Sequence, residues 1–175
     1  PPPPPPPPAH PPPPPPTQTL TPNPTLFRSD ISGIDHSKVL SYREVLRDKA
    51  PVGEKVAIIG AGGIGFDVAE YLTHEGESTS QSIPAFMREW GVDMELVARG
   101  GIEGVEAKPE PSRRSVSLLQ RKQSKVGAGL GKTTGWIHRA GLEKRAVAMI
   151  PGCEYEKIDD DGLHVLVNGE RKLFA

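Results

Sequence analysis

The chain has 175 residues, with 21 Lys or Arg against 22 Asp or Glu and a formal charge of −1. So even a balance gives no whole-molecule field for holding nucleic acid or an acidic membrane surface, and neither partner is expected. The single cysteine, Cys153, excludes an internal disulfide and any four-thiolate zinc or iron–sulfur site built from this chain alone.

Fourteen of the 21 prolines fall in Pro1–Pro16, a run with almost no apolar side chain to bury and a strong bias to polyproline II. Thr17 to Asp30 is polar and carries Pro22 and Pro24, so residues 1–30 read as a Pro-rich disordered tail. Such a tract can bind SH3- or WW-type modules; a passive spacer, or an artefact of gene prediction, is the simpler account. The chain opens on Pro1 rather than Met, which reads as a non-native N-terminus. The remainder, about 145 residues, suffices for one ordinary core. No basic-then-apolar leader is visible, and the longest low-charge run, Val56–Phe66, is too short and glycine-rich to span a bilayer. A cytoplasmic protein is expected.

Residues 31–52 read as a connector. Gly33-Ile34-Asp35-His36 is turn-like, with His36 a solvated residue of that turn. Ser41 is a plausible N-cap for a helix over Tyr42–Asp48, with Glu44 closing a capping box, and Pro51 and Gly53 then lead into a strand.

The partial nucleotide-binding domain, residues 53–175, begins with Val56-Ala57-Ile58-Ile59, whose length and β-branching suit a strand buried on both faces. Gly60-Ala61-Gly62-Gly63-Ile64-Gly65 follows at once, and Ile64, Val68 and Leu72 then recur at helical spacing. Strand, glycine turn and helix make the context that turns G-x-G-x-x-G into a dinucleotide fingerprint. Gly60 permits the tight turn, Gly62 leaves room for the pyrophosphate, and Gly65 lets the helix pack close to the strand. Free N–H groups of the first helical turn then face the phosphates.

This helix should end near His74. Residues 75–113 form an insertion that an ordinary mononucleotide-binding unit lacks. Ser78 to Gln81 offers a capping box ahead of a helix carrying Ile83, Phe86 and Trp90 and ended by Gly91, with Pro84 tolerated in its first turn. Asp93, Glu95, Glu103, Glu106 and Glu110 read as a solvated surface.

Ser115–Gln120 is the second strand. The acid that usually binds the ribose 2′-hydroxyl at such a strand end is missing, and Gln120, Arg121 and Lys122 stand there instead. From Pro111 to Leu142 there are seven Lys or Arg and no Asp or Glu. Cations attract a 2′-phosphate, so the pattern favours NADPH over NADH. Arg121 and Lys122 are the expected readers, with Lys125 and Arg114 in reserve.

Val126–Gly135 nearly matches the phosphate-binding loop of nucleoside triphosphatases, but its opening glycine is displaced to Gly127 and it does not follow the strand directly. A glycine loop near the cofactor is the better reading, with Lys132 assisting the phosphates and a helix from Thr133 or Thr134 to Leu142; a P-loop-like NTPase is a remote alternative. Ala146–Ile150 reads as the third core strand. Cys153–Ile158, Leu163–Val167 and Glu170–Phe174 then form an antiparallel meander, joined by Asp159-Asp160-Asp161-Gly162 and Asn168-Gly169. The Asp triplet is a turn rather than a calcium loop. Cys153 and His164 each look unaccompanied and structural. The expected fold is α/β: a Rossmann-like FAD/NAD(P)-binding domain with a parallel βαβ sheet and a β-meander, incomplete at its C-terminal end.

The segments GIDH, KVAIIGAGGIGFDVAEYL, GESTSQ, REWGVD, LLQRK, GLGKTTGWIHR and MIPGCEYEKIDDDGLHVLVNGE resemble the pyridine-nucleotide domain of bacterial NADPH-dependent 2,4-dienoyl-CoA reductases. These are the flavin and iron–sulfur branch of the old-yellow-enzyme and trimethylamine dehydrogenase group. The resemblance runs from about Gly33 to the end; the proline tail has no counterpart. It implies a larger oxidoreductase in which NADPH reduces FAD, and electrons pass through a [4Fe–4S] cluster to FMN in a barrel and on to an unsaturated fatty acyl-CoA. Partners implied are the FAD domain, the FMN barrel and, in the whole enzyme, an enoyl-CoA substrate. Gly60, Ala61, Gly62, Gly63, Ile64 and Gly65 would hold the pyrophosphate and Arg121-Lys122 the 2′-phosphate. No catalytic residue, FMN site or cluster cysteine is assignable here, and the chain reads as a fragment inactive by itself. A non-catalytic Pro-rich scaffold is the alternative from another class. A nucleic-acid role is weakest, since Trp136 is the lone aromatic in the basic stretch.

Overall fold

The computed structural model describes residues 30–76 and 78–175; the expected tail lies outside them except for Asp30. Two three-stranded sheets form among the described residues. The first is parallel and follows chain order, β1 (Lys55–Ile59), β2 (Ser115–Leu119) and β3 (Ala148–Ile150). Its register pairs Lys55 with Ser115 and Ile59 with Leu119, then Ser117 with Ala148. The second is an antiparallel meander, β4 (Cys153–Asp159), β5 (Gly162–Val167) and β6 (Glu170–Phe174).

Alternation along the parallel strands divides the core in two. Val56, Ile58, Val116, Leu118 and Met149 face one way, towards Phe66, Val68, Ala69 and Leu72 of α2 (Gly63–Thr73), with Val45 of α1 (Tyr42–Leu46) and Leu142 of α4 (Gly135–Lys144). Ala57, Leu119 and Ile150 face the other way, onto Cys153, Ile158, Leu163, Val165 and Val167 of the meander. The period of two thus gives each face its own partner, helices above and meander below.

β1 differs from expectation. It is only half-buried along Val56–Ile58 and exposed at both ends, with Ile59 37% exposed. The reason is lateral: β2 pairs with one edge of β1, and no strand among the described residues pairs with the other. Other boundaries move by a few residues. The Ser41–Glu44 capping box is present, but α1 stops at Leu46. β3 starts at Ala148, because Ala146 turns the chain with φ 58°. The β4–β5 turn is centred on Asp160-Asp161 rather than on Asp-Gly, since Asp159 pairs with Gly162 inside the ladder. Asn168 and Gly169, at φ 52° and 83°, make the second hairpin turn as expected.

The insertion carries α3 (Ile83–Trp90), closed by Gly91 in a left-handed conformation. Its cap is Ser82, whose Oγ accepts from the Ala85 N–H, and not Ser78; Thr79–Gln81 form a separate 3-10 turn. Glu89, 7% exposed, fastens the insertion to the helical layer. Its carboxylate accepts from Thr79 Oγ1 at 2.6 Å and Arg145 Nη2 at 2.8 Å, and Lys144 Nζ lies 3.9 Å over the Trp90 ring. Asp93, expected to be solvated, instead accepts from the Glu95, Val97 and Ala98 N–H groups and shapes the loop after α3.

The connector is folded onto the meander. Ile31 is buried there, the Ile158 N–H donates to Ser32 O at 2.8 Å, and His36 Nε2 lies 3.2 Å from Asp160 Oδ1. His36 is therefore a bridging residue and not a solvated one. Among the described residues no helix is long and apolar enough to cross a membrane.

Among the described glycines the closest approach lies where α2 leaves the glycine turn: a Cβ on Gly65 would sit 1.9 Å from Gly60 O and 3.3 Å from Leu118 Cδ1. Gly65→Ala should therefore lose about 3 kcal/mol or more in chemical denaturation, because backbone would have to move. Gly63→Ala, whose Cβ would meet nothing within 4 Å, should be neutral or gain up to about 1 kcal/mol from helix propensity.

Candidate functional site

A cleft of about 480 Å³ opens at the carboxyl ends of the parallel strands, where open α/β sheets bind their ligands. Ile59 and Gly60–Gly63 form one wall, Gln120, Arg121, Lys122 and Ser124 a second, and Ala128–Leu130 with Tyr155 the remainder. Gly60 turns off β1 at φ 108°, a conformation other residues strongly disfavour. Gly62 caps α2 without a side-chain hydrogen bond, so the first N–H groups of that 11-residue helix stay open for an outside acceptor. A Cβ on Gly62 or Gly63 would touch no protein atom within 4 Å; the space beside that backbone belongs to the cleft. Uncharged donors, a bare backbone and a helix N-terminus suit a diphosphate.

The structure gathers Gly60, Ala61, Gly62, Gly63, Arg121 and Lys122 around this cleft. Ile64 and Gly65 lie just behind it in α2, Ile64 53% exposed and Gly65 packed against Gly60. Lys132 is exposed in the loop before α4 and does not line the cleft, and neither does Lys125. Arg114 sits at the opposite end of β2, where Nη1 donates to Leu72 O, so it is no reserve for a ligand at the glycine turn. Neither Arg121 nor Lys122 is ion-paired with a carboxylate among the described residues, which leaves both cations available.

The sequence reading gave Tyr155 no part in the site and left Gln120 without a role. Tyr155 projects from the meander beside a register shift between Tyr155 and Lys157, and its hydroxyl is buried without a hydrogen-bond partner. Burial, reinforced by the Cys153 thiol and opposed by Arg121, pushes its pKa up to about 12. Tyr155 shares its face of β4 with Cys153, two residues earlier, and what that face meets across the fold is not written in a single sequence. Gln120, visible at the strand end, has an unexpected role: its Nε2 donates to the backbone carbonyls of Lys122 and Ser124.

Val126–Gly135 wraps α2 rather than forming a triphosphatase loop. Val126 is buried in the helical core, a Cβ on Gly127 would meet Phe66 Cζ at 2.7 Å, and Arg139 Nη1 donates to Gly127 O.

No protein-family model matches the chain. Among solved structures it superposes on 2-naphthoyl-CoA reductase in complex with 2-naphthoyl-CoA with a TM-score of 0.57 and 19% identity, over 85% of this chain and 17% of that one. An engineered water-forming NADPH oxidase bound to NADPH gives a TM-score of 0.46 at 15% identity, over 85% of this chain and 26% of that chain. The chain thus spans about a sixth of the length of the reductase it resembles. At such identities the likeness is one of fold. That fold is the expected Rossmann-like α/β architecture, with a three-stranded parallel sheet and an antiparallel meander.

Away from the cleft, Asp159, Asp161 and His164 bring ligand atoms within 4.8 Å of one another. Internal bonds account for the arrangement: Asp159 accepts from Lys157 Nζ at 2.6 Å, from the Asp161 N–H at 3.1 Å, and its Oδ1 lies 2.8 Å from His164 Nε2. His164 is thus accompanied after all. The Lys157 bond first, then the His164 bond, holds the Asp159 carboxyl far below its usual range. A carboxyl depressed in the folded state contributes stability in full above its unfolded value of about 3.9 and loses it as pH falls further. Asp159→Asn should therefore lower the melting temperature at pH 6 and make melting less sensitive to acidification below about pH 4. Parallel curves for wild type and variant down to pH 2 would contradict this.

Proposed function

We propose that this chain is the NADPH-binding portion of a flavin-dependent oxidoreductase resembling 2,4-dienoyl-CoA reductase. The observation that carries the reading is the meeting, around one cleft, of the bare glycine turn Gly60–Gly63 with the cationic pair Arg121–Lys122. The glycine turn and the α2 N–H groups receive the pyrophosphate; the two cations one strand over receive the adenosine 2′-phosphate. Lys132 takes at most an outer electrostatic part. The resemblance of the sequence to the dienoyl-CoA reductases, together with the fold shared with a 2-naphthoyl-CoA reductase, supports a coenzyme A thioester as final acceptor.

NADPH supplies a hydride, and FAD on the remainder of a larger enzyme accepts it. The chain's own task is to bind and orient the donor. FMN, the [4Fe–4S] cluster, the acyl-CoA site and a cytoplasmic setting belong to the same reading of the whole enzyme. By itself the chain binds NADPH weakly at most and turns over no thioester.

Titrating the chain with each cofactor tests the assignment. NADPH should bind about tenfold or more tightly than NADH at low ionic strength, a preference that added salt erodes. Arg121→Ala with Lys122→Ala should abolish the preference while moving NADH affinity little. Equal affinities in the unaltered chain would defeat the 2′-phosphate argument.

A further inference from the structure

The end of the second strand is where a dinucleotide fold usually places the carboxylate that accepts the ribose 2′-hydroxyl. Gln120 stands there, and its amide is turned inward, donating from Nε2 to Lys122 O at 3.0 Å and to Ser124 O. An amide nitrogen carries two hydrogens, and these two carbonyls take both. The same stretch is tied from outside by the β3–β4 link. Gly152 N–H donates to Lys122 O at 3.0 Å, Cys153 N–H to Gln120 O at 2.9 Å, and Gln120 N–H to Ile150 O at 3.0 Å. Lys122 O therefore receives two donors, one from the Gln120 side chain and one from the β3–β4 link. Residues 121–124 make no other regular backbone pairing, so the Gln120 side chain and the Gly152 N–H together close the loop that carries both cations into the cleft.

We propose that Gln120 is a positioning and specificity-determining residue for the dinucleotide: its neutral amide folds the basic loop into place and, by occupying the acid's position, removes the usual anchor for an unphosphorylated ribose. The inference rests on the dinucleotide reading above and goes beyond it, because it gives the preference to a residue that carries no charge. An ionised Glu at this position could donate to neither carbonyl and would set a negative charge beside two carbonyl oxygens. Met has nearly the same length and no hydrogens to give, so it removes the closure without adding charge.

The full chain carrying Gln120→Met or Gln120→Glu provides the test, through NADPH and NADH titrations and through hydrogen exchange at Gly152 in the absence of cofactor. In Gln120→Met the Kd for NADPH should rise about tenfold, the effect of losing two neutral hydrogen bonds, while that for NADH moves by less than about twofold. Exchange at the Gly152 amide should accelerate, with the β5 amides unchanged as the control for a folded protein. Gln120→Glu should lose NADPH similarly and gain NADH, inverting the preference. Parallel weakening of both cofactors, or unaltered exchange at Gly152 in Gln120→Met, overturns the role given to Gln120. An unaltered chain that binds neither cofactor overturns the dinucleotide reading and the specificity role with it; binding of both at a ratio insensitive to residue 120 overturns the role alone.

Discussion

Gly60 and Gly65 approach so closely that no side chain fits between them: a Cβ on the second would lie 1.9 Å from the carbonyl oxygen of the first. This one steric condition sets where α2 starts, which way its N-terminus points and how near its axis runs to β1 and β2. Phe66, Val68, Ala69 and Leu72 meet Val116 and Leu118 only because the helix is held at that distance. The cleft is the other side of the same constraint. A chain that must turn within a few residues and descend against the strand leaves its first N–H groups aimed outward over the strand ends, and Gly62 and Gly63 leave the approach to them clear.

The two layers around the sheet contribute differently. The helical layer supplies the glycine-turn wall of the cleft. The meander supplies a floor, Tyr155, and the N–H groups of Gly152 and Cys153 that brace the basic loop. The insertion lines no part of the cleft, and it is held to the helical layer by the Glu89–Arg145 pair, both side chains 9% exposed. A buried pair of this kind adds little over a well-packed apolar substitute, yet losing either partner strands a charge. It therefore fixes the orientation of α3 more than it stabilises the domain, and the Lys144–Trp90 stacking beside it works to the same end.

Much of this was legible in the sequence because the signals are local. Strand, glycine turn and helix occupy Lys55–Thr73 in one run, and the Asn168-Gly169 turn and the Ser41–Glu44 box are each decided within four residues. What the sequence hid depends on neighbours far along the chain. Val56–Ile59 has the composition of a strand buried on both faces, but its burial depends on what lies at its edges. His36 looked solvated because its partner, Asp160, is 124 residues away. The Ser78–Gln81 box looked like the start of α3; only the path of the chain into the helix makes Ser82 the cap. Tyr155 reaches the cleft because the Cys153 face of β4 lies against the carboxyl end of the parallel sheet, a meeting of segments far apart along the chain.

The basic stretch carries the same lesson into the chemistry of the site. Seven cations without an acid between Pro111 and Leu142 read along the chain as one positive surface. In space they disperse. Arg113 pairs with Glu75 and Arg114 bonds Leu72 O at the amino end of the sheet, Arg139 bonds Gly127 O, and Lys125 and Lys132 stay outside the cleft. Two remain at the cleft, the adjacent pair Arg121–Lys122. Charge density along a sequence is therefore a poor guide to the field at a site, since strand direction sends residues a few positions apart to opposite ends of a sheet. The more telling feature is an uncharged one. A glutamine amide that ties its own strand end into a closed loop fixes where the two cations stand, and a fixed cation gives up less conformational freedom when it meets a phosphate than a mobile one.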